Sequence, residues 1–92
     1  MTTLQIEHAI SDISTWRSAF DRFAEMRLRS GVLRESVRRP IDDEKYVVVE
    51  LDFADRTSAR EFLRFLETTV WSTPANSPAL VGSPHARLVE SA

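Results

Sequence analysis

His8 stands in the run Leu4-Gln5-Ile6-Glu7-His8-Ala9-Ile10, where every second residue is apolar except the histidine itself. An imidazole changes charge near neutral pH, so on such a face it can accept a proton or donate to a ligand in a cleft. The same position suits a buried histidine bonded to a backbone carbonyl or to a nearby helix cap such as Asp12. Arg27 follows Trp16, Phe20 and Phe23 at helical spacing, on the apolar stripe rather than the wet side. A guanidinium there either binds a ligand's carboxylate or is held by a structural ion pair. Trp16 can line an aromatic pocket or belong to plain core. Trp71 ends an apolar stripe before a Pro-containing loop and suits a pocket lid or a subunit contact, since indole favours half-wet positions. His8, Trp16, Arg27 and Trp71 are therefore the candidate ligand contacts, and His8 is the one candidate for catalysis.

Glu7 and Glu50 can face one another from neighbouring strands, with Arg34, Arg38 and Arg87 in reach. Paired carboxylates serve acid–base chemistry when their pKa values are driven apart. Carboxylates opposed to arginines across a subunit interface are the other reading. The turn Asp42-Asp43-Glu44 is acidic but lacks the spacing of a calcium loop. His85 is the only second histidine, no carboxylate–histidine spacing suits a metal, and there is no cysteine for a thiolate site or a disulfide. Two glycines, Gly31 and Gly82, cannot build a phosphate loop, and no Ser/His/Asp order suggests a hydrolase. No metal and no cofactor are expected.

The elements that must position these residues can be read in order. Leu4–Ile10 alternates as a half-buried strand. Ser11 and Asp12 can cap a helix that runs from Ile13 through the Trp16, Phe20, Phe23 and Arg27 stripe to Ser30, where Gly31 stops it. Val32–Arg39 reads as a charged edge strand closed by Pro40. Residues 41–44 turn into Lys45–Phe53, a run with Val47, Val48, Val49, Leu51 and Phe53 that suits the middle of a sheet. Asp55 caps a second helix whose buried stripe is Ala59, Phe62, Leu63, Leu66 and Val70. Ser72–Pro84 is a loop, and His85–Glu90 a last short strand. The order β-α-β-β-α-β is the ferredoxin-like α+β arrangement: a four-stranded antiparallel sheet with two helices on one face. Leu4, Ile6, His8 and Ile10 then meet the helices, together with Val47, Val49, Leu51, Phe53, Ala86 and Leu88. Glu7, Tyr46, Val48, Glu50 and Arg87 lie on the open face, which a second copy of the chain would close.

Ninety-two residues suit a single domain, 1–92, whose core is modest. Twelve basic residues against fourteen acidic ones, interspersed, give no basic stripe for nucleic acid. No apolar run approaches the roughly 20 residues of a membrane span, and the start of the chain shows no signal-peptide pattern. A cytoplasmic protein without nucleic-acid or membrane partners is the expectation.

The segments HAISDISTWRSAF, Arg27 with Ser30-Gly31-Val32, RRPIDDEKYVVVELDF, AREFL and GSPHARLVE give the chain a resemblance to the dimeric α+β barrel superfamily. It is similar to small bacterial proteins of that group and, more distantly, to the antibiotic-biosynthesis-monooxygenase type. The resemblance implies two sheets packed face to face in a homodimer and a ligand cleft between sheet and helices. It also implies a choice of activities, from cofactor-independent monooxygenases and haem-degrading enzymes to domains without known chemistry. The haem-degrading members use an asparagine on the first strand and a histidine on a helix. The first strand here has Ile6 and His8 instead, and the second helix has no histidine, so that site does not carry over. Three functions follow as expectations: binding of a small, largely apolar molecule; a monooxygenase acting on an aromatic or quinol substrate; or a structural homodimer with a filled cleft.

Overall fold

Strand β3, Tyr46–Phe53, alternates half-buried and buried residues along its length, and its inward members Val47, Val49, Leu51 and Phe53 are almost wholly removed from water. The computed structural model describes all 92 residues. Around β3 it arranges β1 (Thr2–Ile10), α1 (Ile13–Arg22), α2 (Ala24–Arg29), β2 (Arg34–Arg38), α3 (Arg56–Phe65) and β4 (Leu80–Glu90). The sheet order is β2-β3-β1-β4 with every neighbour antiparallel, so β1 and β3 hold the centre. Leu4 faces Leu51, Ile6 faces Val49 and His8 faces Val47 in the β1–β3 register. This ferredoxin-like α+β architecture agrees with the alternation in the sequence. Each fully buried Leu, Val or Phe of this layer contributes about 1.5–3 kcal/mol relative to exposure. Trp16 from α1 and Ala59 and Phe62 from α3 close the core from the helix side.

Both helices start as their sequences predict. The Asp12 carboxylate accepts from the Thr15 N–H at 2.8 Å, and Asp55 accepts from Ser58 at the same distance. Asp12 is thus a helix cap and has no bond to His8. The expected four-turn helix is instead two: Phe23, at φ −98° and ψ 12°, separates α1 from α2. No proline or glycine announces the break. The Phe20 carbonyl at the break accepts from the Phe23 N–H and from the Arg27 guanidinium, so a side chain supplies what the helix ladder lacks.

Strand boundaries also move. β1 starts at Thr2, two residues early, with Thr2 buried. β2 is shorter than the alternation suggested because Val32 turns into the core and its N–H donates to the Arg27 carbonyl. The largest correction is β4, which starts at Leu80 and not His85. Gly82 sits at φ +72° beside an irregularity in the pairing with β1 between Glu7 and Ala9, and Pro84 lies on an edge strand, where its missing N–H breaks no ladder. The connection after α3 therefore ends at residue 79, five residues before the expected end at Pro84. It begins with a π-helical turn, Leu66–Val70, closed by the Trp71 N–H on the Leu66 carbonyl at 2.7 Å. No helix is long and apolar enough to cross a membrane.

Candidate functional site

Between the helix-side face of the sheet and the helices lies a cavity of about 80 Å³. Ile6 and His8 of β1 and Val49 and Leu51 of β3 form its floor. Trp16, Phe20 and Phe23 of α1 and its break, Arg27 of α2, and Phe62 and Phe65 of α3 make its walls. Trp71, Asn76 and Ser77 border it from the connection after α3. All four residues singled out in the sequence thus come together around one space. Fourteen of the eighteen lining residues are hydrophobic, so polar groups here are few enough to account for one by one.

His8 is 6% exposed. Its Nδ1 lies 2.9 Å from the Ala9 carbonyl oxygen, and a carbonyl only accepts, so Nδ1 carries the proton and Nε2 keeps its lone pair. Nε2 has no hydrogen-bond partner in the protein, yet it is not sealed among side chains, which leaves it to the cavity His8 borders. Burial penalises the imidazolium more than the Ala9 carbonyl favours it, and the pKa falls below the ordinary 6.5. His8 is a neutral acceptor in an apolar setting. The Trp16 ring lies at 6.5 Å, tilted by 59°.

Arg27 behaves differently. Its side chain is 5% exposed, and Nε and Nη2 approach the Glu35 carboxylate of β2 at 2.7 and 3.3 Å. Nη1 donates to the Phe20 carbonyl at 2.6 Å. The guanidinium also lies 3.5 Å from the centroid of the Phe20 ring, which is stacked at 4.8 Å on Trp16. Of the two readings open for Arg27 in the sequence, the structural ion pair is the one present. Glu35, its partner, is on the helix side of β2 opposite Leu51. Sequence reasoning missed this role, because Glu35 looked like one more charge on an edge strand.

Asn76 and Ser77 were also missed. Asn76 Nδ2 donates to the Thr69 carbonyl at 3.0 Å and the Ser77 hydroxyl to the Val70 carbonyl at 3.0 Å. Thr68 Oγ1 donates to Arg64 and Ser72 Oγ to Thr68. Short polar side chains thereby satisfy three carbonyls of the π-helical turn and one at the end of α3, which is how so irregular a stretch persists beside an apolar cavity. The run of Thr, Ser and Asn after Leu66 was the available signal.

On the other face of the sheet, Glu7 accepts from the Tyr46 hydroxyl at 2.8 Å, which raises the phenol's pKa. Glu50 accepts from Arg38 at 2.6 Å and from Gln5 Nε2 at 2.6 Å, and Gln5 Oε1 accepts from Arg87 at 2.9 Å. One hydrogen-bonded row therefore crosses all four strands. The two carboxylates do not share a site: each is paired within the chain, and the paired-carboxylate reading has no support.

No protein-family model and no curated protein matches the sequence. Solved structures do match in shape. SnoaB, a cofactor-independent oxygenase from Streptomyces nogalater, aligns with a TM-score of 0.75 over 99% of this chain and 92% of its own, at 19% identity. A putative antibiotic biosynthesis monooxygenase from Nitrosomonas europaea gives 0.71 over 99% and 98%, at 14% identity. The fold is theirs. A dimeric ferredoxin-like protein from an uncultured marine organism also shares it, with a TM-score of 0.64 over 99% and 95% at 20% identity. The monooxygenase-like dimeric α+β barrel resemblance in the sequence is thus present in three dimensions, as a likeness of fold.

Proposed function

We propose that the protein binds a small, largely apolar aromatic molecule between sheet and helices, with a hydroxyl of that molecule donated to His8 Nε2. The observation that carries this reading is the state of His8: neutral, fixed by Ala9, and set in the apolar floor of the cavity with its Nε2 acceptor unpaired. An apolar lining supplies affinity and one oriented polar group supplies specificity. The resting cavity is smaller than the roughly 150 Å³ that takes up a benzene ring, so binding requires the wall to move outward. The segment from the π-helical turn through residue 79 is the part of the wall outside regular structure. Its Ala75 carbonyl accepts from Arg22 at 3.1 Å, a side-chain tie between it and α1.

Phenol and toluene titrated into isotope-labelled protein test the proposal. Both should shift the amides of residues lining the cavity. In His8→Leu the affinity for phenol should fall roughly three- to tenfold relative to that for toluene, as loss of one hydrogen bond implies. Failure of both probes to bind removes the reading.

A second reading is favoured by the same imidazole and by the fold shared with a cofactor-independent oxygenase. In it His8 Nε2 takes the proton of a hydroquinone, and the resulting electron-rich anion reduces dioxygen. Oxygen uptake with a panel of hydroquinones tests it; no turnover, or turnover equal in His8→Ala, eliminates it. The open sheet face supports a homodimer through Glu7, Tyr46, Val48, Glu50 and Arg87. Glu50 is ion-paired with Arg38 within the protomer, whereas Glu7 and Arg87 are hydrogen-bonded to the neutral Tyr46 and Gln5. A covering copy therefore has to bring counter-charges to those two or leave them in contact with water.

A further inference from the structure

We infer that Glu35 sets the charge selectivity of the cavity: by neutralising Arg27 it makes the site refuse carboxylates and admit uncharged ligands. The inference rests on the ligand-binding reading above and adds which molecules that site excludes. The cavity borders two ionisable side chains, His8 and Arg27. His8 is uncharged, with its pKa pushed below the ordinary value by burial. Arg27 is a permanent cation, and an unengaged guanidinium in an apolar wall would be a strong carboxylate site. It is not unengaged. Glu35 accepts from two of its nitrogens, and the Phe20 carbonyl accepts from the third.

The geometry of that pair explains why the neutralisation comes from outside. Arg27 spans from the cavity wall to β2, and its side chain is 5% exposed, whereas Glu35 is 40% exposed and anchored on the edge strand. A ligand carboxylate would have to leave water for an apolar space whose only cation already holds an anion, and that transfer is costly without a free counter-charge. An ammonium finds no carboxylate on the wall at all. Neutral aromatic molecules meet neither obstacle.

Converting Glu35 to its amide keeps an acceptor beside Arg27 while removing the charge. Benzoate, phenol and toluene binding, followed by amide shifts in wild type and Glu35→Gln, therefore tests the inference. In wild type, benzoate should bind at least tenfold more weakly than phenol. In Glu35→Gln, benzoate should gain at least tenfold while phenol and toluene change less than about twofold. Benzoate bound as tightly as phenol by the wild type overturns the inference, and so does a Glu35→Gln protein whose benzoate affinity is unchanged. Should that variant fail to fold, Glu35→Thr, which suits an edge strand, removes the same charge and should show the same gain for benzoate; an unchanged benzoate affinity in it also overturns the inference. Absence of binding by phenol and toluene alike removes the ligand site itself, a failure distinct from loss of its selectivity.

Discussion

Burial acts on His8 and Arg27 in opposite ways, because only one of them can give up its charge. His8 sheds its proton, and the sign of the resulting pH dependence follows. The unfolded chain binds that proton below about pH 6.5, while the folded one resists it. Stability from this group is full above about pH 6.5 and declines as the pH falls below it. Urea unfolding at pH 7.5 and 5.5 should show wild type losing stability at the lower pH, with a smaller loss in His8→Leu; equal losses contradict the assignment. Arg27 cannot discharge and must be matched instead. Glu35→Ala should therefore destabilise by about 2–3 kcal/mol, more than Arg27→Met, because it leaves a buried cation behind while the reverse change leaves a half-exposed carboxylate. Denaturant midpoints of the two variants check the order.

Among the elements, α3 shows how local signals and distant contacts combine. Asp55 caps it from the sequence alone, and Asp55→Ala should lower the denaturant midpoint by removing the acceptor of the Ser58 N–H. At its first residue, Arg56 donates to Glu90 at 2.9 and 2.7 Å, and Thr2 donates to the same carboxylate, so the ends of β1 and β4 and the start of α3 meet there. These bonds, Arg56 foremost, hold the Glu90 pKa down to about 2 from 4.5. The stabilisation is present above about pH 4.5 and lost as pH falls towards 2, a window below that of His8. Glu90→Gln should flatten the acid limb of the unfolding profile in that lower window only. At the other end of α3, the segment 71–79 should exchange its amides faster than the helices, and Arg22→Ala should speed it further by releasing the Ala75 carbonyl. Hydrogen exchange read by mass spectrometry decides this; unchanged rates would show the tie to be inert.

For the whole molecule, the sheet has one face in the core and one in the open. The open face carries Val48, Val89 and Ala9, all half-buried, between side chains paired with one another. Val48→Glu should weaken self-association while leaving helix content intact, as light scattering coupled to size exclusion at several concentrations would show. A monomer at every concentration in the wild type would refute the homodimer.

What the sequence determined alone was everything governed by neighbours along the chain. Alternation assigned β1 and β3 and their inward faces; the spacing of Trp16, Phe20 and Phe23 assigned the helical stripe; Asp12 and Asp55 marked both helix starts. The four residues singled out as ligand contacts all border the cavity, since each is turned towards the helix–sheet layer. Tertiary structure decided what depends on partners far along the chain. At the break at Phe23, Arg27 reaches back to satisfy the Phe20 carbonyl, and Arg27 is neutral in effect because β2 brings Glu35 beside it. β4 runs through Gly82 and Pro84 because β1 offers an edge that pairs with Leu80 and Val81, outweighing the local preference of both residues for a turn. Local rules choose which face a side chain takes; only the folded chain chooses what it meets there.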